Sequence, residues 1–349
     1  MSQTTRHIVI EPSSFHFQGD ELFNEHNSFL NRDGTLLPFV RLKENAEKCG
    51  VVLHTADALH QGQLDGFKVE YWSLGILDQF QKYIGNPSVN LEGFLLMEPP
   101  LVSPGMYKSL PLLTKHFKKV MVHNTVGDQY SLVGVDQSRL SKLYWPQPYE
   151  GPLNSYFDIQ ERLNKLVVIS GAHNPRFRKP ELYSQRIEAV AQLQRFDAID
   201  LYGRGWDKTF SRHNAWLPFW RNRKELASAY QGMCASKMDV LSKYRFSLCF
   251  ENMPMRGYVT EKIFDCFYAG TVPVYWGAPD IENYIPENCY IRFEQFQDFN
   301  QLWNFVSNIS IDEWQGYRNS IKEYLSGKSY ARHFHAMEEM IGIPLGGKK

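Results

Sequence analysis

The chain has 349 residues, enough for about two domains of roughly 150 residues each. Hydrophobic residues make up 43% and charged residues 22%, an ordinary balance for a folded protein, and aromatics at 14% suit both a large core and carbohydrate contacts. Lys plus Arg and Asp plus Glu number 38 each, so the formal net charge is zero and a dedicated nucleic-acid binder is not expected.

Short apolar runs recur along the chain and predict strands. They are Ile8–Ile10, Val51–His54, Phe94–Met97, Val120–His123, Leu166–Ser170, Ala198–Tyr202, Phe246–Phe250 and Val272–Trp276. Amphipathic stretches between them predict helices over Leu37–Cys49, Met106–Lys118, Tyr183–Phe196, Lys224–Tyr230 and Glu261–Ala269. Continuous apolar strands alternating with helices imply parallel sheets covered on both faces. The fold class is α/β. After Ser310, the spacing of Trp314, Tyr317, Ile321 and Leu325 predicts a closing helix.

A proline-rich break over 144–152 divides the alternation, so two Rossmann-like domains with a cleft between them are expected. The expected boundaries are 1–155, 156–330 and a C-terminal helix and tail over 331–349, its last residues frayed. Five cysteines form no CxxC pair, which fits free thiols in a reducing compartment. The first residues lack an apolar signal-peptide core, and no run of about 20 residues is apolar throughout. A soluble, cytoplasmic protein is expected. The eleven histidines include no HExxH pair, so no metal site is expected.

Ligands of open parallel sheets bind beyond the carboxyl ends of the strands. The polar residues that follow the apolar runs are Glu98, then Ser170 with Gly171, then Gly203-Arg204-Gly205, then Glu251-Asn252. The densest segment, 244–277, reads as strand, loop, helix, turn, strand. Thr260 is placed as the helix N-cap, Glu261 and Lys262 open the helix, and Gly270 ends it. Such a helix start with Lys262 beside it suits a diphosphate without a metal; equally, it suits a charged first turn on a surface helix. Pro273 marks its strand as an edge, an entry or a distorted strand.

This segment resembles the α1,3/4-fucosyltransferase family, glycosyltransferase family ten, in its bacterial type. The resemblance rests on Tyr244-Arg245-Phe246, Phe250-Glu251-Asn252, Tyr258-Val259-Thr260-Glu261-Lys262 and Ala269-Gly270-Thr271-Val272-Pro273-Val274, followed by Asn283-Tyr284-Ile285-Pro286. Upstream, Met97–Gly105 is similar to the family's segment with the general base, and Tyr183–Arg186 to its segment with a phosphate-binding arginine. Together these cover roughly residues 90–300.

The resemblance implies a GT-B-like fold and inverting transfer of L-fucose from GDP-fucose to a glycan hydroxyl. Glu98 would be the base, facing the cleft from the acceptor side. Arg186, Asn252, Tyr258, Glu261 and Lys262 would bind the donor, with Ser170 and Gly203 at neighbouring strand ends. Arg176 and Arg178 compete with Arg186 for the phosphate, and Glu98 alone also reads as a surface carboxylate at a strand end. Glu251 reads as a structural group bonding backbone amides beneath the donor. Trp145, Trp216 and Trp220 read as packing residues before sugar platforms. Partners would be GDP-fucose and an oligosaccharide or glycolipid acceptor, without a cofactor and with peripheral membrane contact. The linkage expected is α1,3 on an N-acetylglucosamine- or glucose-type residue of a bacterial surface glycan. Another nucleotide-linked deoxysugar as donor, or a non-catalytic glycan- or nucleotide-sugar-binding module, are the alternatives.

Overall fold

The computed structural model describes residues 5–174, 180–208 and 217–345. Among them the strands form two six-stranded sheets in which every pairing is parallel. The chain divides inside the proline-rich break: unit one is Met1–Tyr149 with Arg332–Lys349, and unit two is Glu150–Ala331.

Unit one holds β1 (Arg6–Glu11), β2 (Val51–Thr55), β3 (Val69–Ser73), β4 (Val89–Leu95), β5 (Lys119–Val122) and β6 (Leu140–Lys142), in the order β2-β1-β3-β4-β5-β6. Alternate residues of a strand point to opposite faces. Thus Ile8 and Ile10 enter one core with Leu42, Trp72 and Leu95, while Val9 enters the other with Tyr71, Phe94 and Phe117. Helix α1 (Leu37–Lys48) covers the first face through Phe39, Leu42 and Ala46.

The segment expected as a separate tail belongs to this core. Residues Ala336, Met337, Met340, Ile341 and Ile343 join the Ile8–Ile10 face, and Glu338, fully buried, pairs with Arg41 at 3.1 Å. An apolar stripe at this spacing loses little by folding back and much by staying in water. The correction is clear: residues 336–343 are core. The closing residues 346–349, expected to fray, lie outside the described ones.

Unit two holds β7 (Leu163–Ile169), β8 (Ile199–Tyr202), β9 (Tyr230–Gly232), β10 (Tyr244–Phe250), β11 (Val272–Trp276) and β12 (Ile291–Arg292), in the order β12-β11-β10-β7-β8-β9. The chain runs from β7 outward to β9 and then returns beside β7 as β10. The crevice beyond the ends of β7 and β10 is therefore the switch point of this sheet. Three helices matter here: α2 (Tyr183–Gln194), α3 (Glu261–Tyr268) and α4 (Ile311–Leu325). Ser310 and Glu313 form a capping box that starts α4, the closing helix predicted from spacing. Its Arg318 is buried over Trp314 and donates to the carbonyls of Gly270 and Phe157 at 3.2 and 2.5 Å, which fixes the turn after α3.

Pro273 is flanked by β10 throughout, but β12 begins only opposite Val274, so its missing N–H falls where the sheet has one neighbour. The predicted helix Met106–Lys118 is in fact two, Pro104–Lys108 and Leu110–His116. Pro111 restarts the helix, since it lacks the N–H an uninterrupted helix would use. One prediction follows from the packing of the C-terminal segment. Met337→Ala removes a fully buried side chain and should destabilise the protein by about 2–4 kcal/mol, read as a lower thermal midpoint.

Candidate active site

The candidate site in unit two is built on the end of β10 and the start of α3. Glu251, the residue after β10, is fully buried and anchored to the sheet by its N–H on the Trp276 carbonyl at 2.8 Å. Its carboxylate accepts from the Thr260 N–H at 2.9 Å and from Thr260 Oγ1 at 3.0 and 2.9 Å. It also accepts from Lys262 Nζ at 3.1 Å, and Lys262 reaches Thr260 Oγ1 at 3.0 Å. Gly277 allows this arrangement, because a Cβ there would lie 2.5 Å from both Glu251 Cγ and the Tyr275 hydroxyl. Thr260 is the N-cap of α3, as predicted, with extended backbone and its hydroxyl turned to the Lys262 N–H.

Charge is tightly matched here. Burial works against the Lys262 ammonium, yet the Glu251 and Glu261 carboxylates outweigh it and hold its pKa above the ordinary lysine value. Burial likewise disfavours the Glu261 carboxylate, but Lys262 and Lys237 bring its pKa below the ordinary value. Lys262 keeps 27% of its side chain exposed, so its charge remains accessible. Glu261 Oε2, by contrast, is buried without a hydrogen-bond partner among the described residues. A buried carboxylate oxygen left unbonded costs free energy unless a hydroxyl donor arrives.

Arg186 reaches the same strand end from α2. It is 5% exposed, and its Nη2 donates to the carbonyls of Phe250 and Glu251 at 2.7 Å each and to Asn252 Oδ1 at 3.1 Å. Burial lowers its pKa while Tyr183 and Glu251 act the other way; a guanidinium keeps its charge through such a shift. Its Nε and Nη1 donate to nothing among the described residues. Tyr183, one helical turn before it, lies beneath the guanidinium at 5.1 Å. Asn252 in turn donates to the Tyr258 hydroxyl at 3.2 Å. Tyr258 is itself buried, so it acts on this site by holding Asn252.

Ser170 and Gly203 meet at the neighbouring strand ends of β7 and β8. Gly203 has φ +134°, and a Cβ on it would lie 2.0 Å from the Ser170 carbonyl oxygen, so only glycine fits. Ser170 Oγ is buried without a hydrogen-bond partner among the described residues, while its carbonyl accepts from Trp206 Nε1 at 2.6 Å. Arg176, Arg178 and Trp216 lie outside the described residues. Trp220 packs edge-on to Phe219, and Trp145 stacks parallel to His123 at 6.2 Å.

Glu98 belongs to unit one, exposed in the turn that follows β4. Sequence reasoning thus brings Arg186, Asn252, Tyr258, Glu261 and Lys262 to one place, with Ser170 and Gly203 at the adjoining strand ends. It assigned no role to Tyr183 and Trp206. The i, i+3 spacing of Tyr183 and Arg186 on a helix was the available signal for the first; nothing local marked the second. Among the described residues no group of three or more His, Cys, Asp or Glu is placed to hold a metal ion, and no helix is long and apolar enough to cross a membrane.

The sequence pattern of glycosyltransferase family 10 (fucosyltransferase), C-terminal part, matches residues 176–326. An α-(1,3)-fucosyltransferase of Helicobacter pylori is 32% identical over 99 residues, covering 27% of this chain and 20% of that protein. A GDP-fucose protein O-fucosyltransferase 3 of Xenopus tropicalis is 35% identical over 136 residues, covering 37% and 24%. The chain therefore spans about a quarter or less of these relatives. In fold, a crystal structure of an α1,3-fucosyltransferase matches with TM-score 0.52 and 14% identity, over 98% of this chain and 92% of the other.

The Glu251–Lys262 pair makes a measurable prediction. Glu251→Gln keeps an acceptor for Thr260 but removes the charge, so the Lys262 pKa should fall. A raised lysine pKa stabilises the fold fully below the ordinary value of 10.5, and that contribution is lost as pH climbs through the folded value. Urea denaturation should show the variant about 2 kcal/mol less stable at neutral pH, with the gap closing above the ordinary lysine value. A gap that stays constant into the alkaline range would count against the pair.

Proposed function

We propose that the protein transfers L-fucose from GDP-fucose to a hydroxyl of a glycan acceptor, a reading supported by the match of residues 176–326 to the pattern of glycosyltransferase family 10. The observation that carries this reading is the meeting of Arg186, Lys262 and the start of α3 at the switch point of the unit-two sheet. A GDP leaving group gains negative charge as its glycosidic bond breaks. Arg186 Nε and Nη1, Lys262 Nζ and the first turn of α3 supply positive potential to receive it. They do so without requiring a metal ion. The buried, unbonded Glu261 Oε2 suits a ribose or sugar hydroxyl, and Asn252, Tyr258, Ser170 and Gly203 complete the donor site.

Glu98 takes the proton of the acceptor hydroxyl. The hydroxyl oxygen then bonds to the anomeric carbon of fucose, the bond from that carbon to the β-phosphate oxygen breaks, and its electron pair leaves with GDP. Attack from the face opposite the leaving group inverts the anomeric configuration. Both relatives are named for fucose transfer, one with an α-(1,3) linkage and the other to a protein. We place the acceptor among N-acetylglucosamine- or glucose-type residues of a bacterial surface glycan, joined α1,3. All five cysteines are free, in keeping with a cytoplasmic protein working on a lipopolysaccharide precursor at the inner membrane face.

Calorimetry with GDP-fucose in chelator, against UDP-galactose, tests the donor. Binding of GDP-fucose alone is the expected result, and Lys262→Ala should weaken it at least tenfold by removing a charge-assisted contact. Glu98→Ala should bind the donor as before yet lose about 100-fold or more in transfer. Equal binding of both sugars, or none, would remove the fucose assignment; undiminished turnover in Glu98→Ala would remove Glu98 as the base.

A further inference from the structure

We propose that His123 and Tyr107 are positioning residues, which clamp the peptide carrying Glu98 so that its carboxylate meets the acceptor hydroxyl in one geometry. The inference rests on Glu98 being the base and assigns it a dedicated support. The β4–β5 ladder ends at the pair Leu95↔Met121, and its next hydrogen bond runs from the Leu96 N–H to the Met121 carbonyl at 2.9 Å. Beyond that the backbone of residues 97–100 has left the sheet. Side chains take over its fixation.

His123 directly follows β5, two residues after the last β4–β5 pair, and is 1% exposed. Its Nε2 meets the Met97 carbonyl at 2.7 Å. A carbonyl only accepts, so Nε2 carries the proton. The imidazole lies parallel to the Trp145 ring, at 6.2 Å between ring centres and 11° between planes. From the other side the Tyr107 hydroxyl donates to the Glu98 carbonyl at 3.1 Å. Tyr107 is buried against Tyr130, and burial keeps its phenol protonated and able to donate.

The two carbonyls that flank the Glu98 Cα are thus each tied to a buried aromatic donor. Pro99 and Pro100 add a covalent constraint. A residue before proline is confined to extended conformations, so Glu98 and Pro99 lose the helical alternative. The Pro99 carbonyl then accepts from Val102 and Ser103 at 2.9 and 3.0 Å, which closes the turn. An exposed glutamate on a free loop would sample many backbone positions; this backbone holds its Cα in one place. Displacement of a reacting group by about 1 Å can cost about 100-fold in rate, so a rigid support under a base has kinetic value.

The experiment measures GDP release from GDP-fucose, with water and with N-acetylglucosamine-containing oligosaccharides as acceptors, for wild type, Glu98→Ala, Tyr107→Phe, His123→Leu and His123→Gln. Tyr107→Phe deletes one oxygen and should lower kcat about tenfold with the KM for GDP-fucose unchanged. His123→Leu should lower kcat by about 10- to 100-fold, and His123→Gln, which restores an amide N–H, should recover most of it. Thermal midpoints report folding; if His123→Leu does not fold, Tyr107→Phe decides. Wild-type kcat in folded Tyr107→Phe and His123→Leu, with Glu98→Ala inactive, overturns the clamp and leaves the base standing. Wild-type kcat in Glu98→Ala, or no GDP release by the wild-type protein, overturns base and clamp together.

Discussion

Most of the candidate donor site is organised around the burial of one carboxylate. Glu251 sits at the end of β10 with no exposure, where an unpaired charge would cost several kcal/mol. Its partners must therefore be in place: the Thr260 N–H and hydroxyl, and the Lys262 ammonium. Those partners start α3, so the helix cannot begin elsewhere without exposing the debt of an unpaired ion. Arg186 closes the other side by binding the Glu251 and Phe250 carbonyls. Strand end, helix start and two cations are consequently one cooperative unit, and the polar residues near it inherit their positions.

Unit one applies a different solution to a similar task. Where unit two uses a buried ion pair, unit one fixes the turn after β4 with neutral donors and proline. The difference suits the chemistry proposed for each. Groups that face a diphosphate need positive charge held in place, whereas a base needs a defined backbone beneath it.

The central strands were legible because parallel strands buried on both faces write themselves as apolar runs, as in Phe246–Phe250. Strands β3, β6, β9 and β12 were not. Glu70 interrupts β3 and pairs with Arg6, and the other three have two or three residues, too few to form a pattern. Thr260 and Glu261 were readable as helix start, since capping is a local property of sequence. The pairing of Lys262 with Glu251 was not, because eleven residues and a loop separate them. The bond of His123 to the Met97 carbonyl beside Glu98 spans 26 residues, which no spacing rule exposes. Residues 336–343 carried a visible apolar stripe, but only the sheet shows which surface it covers.

That C-terminal stripe has a consequence for how the protein is made. Unit two is, in chain order, an insertion within unit one, because residues 332–349 complete the fold begun by residues 1–149. On the ribosome, β1 and α1 emerge early yet lack Met337, Met340 and Ile341 on their shared face until all of unit two has been made. Unit two is complete by residue 331 and can fold before they arrive. Throughout that interval the nascent first unit presents an uncovered apolar face, which makes it the natural client for a chaperone and the part of the molecule most exposed to aggregation when synthesis stalls.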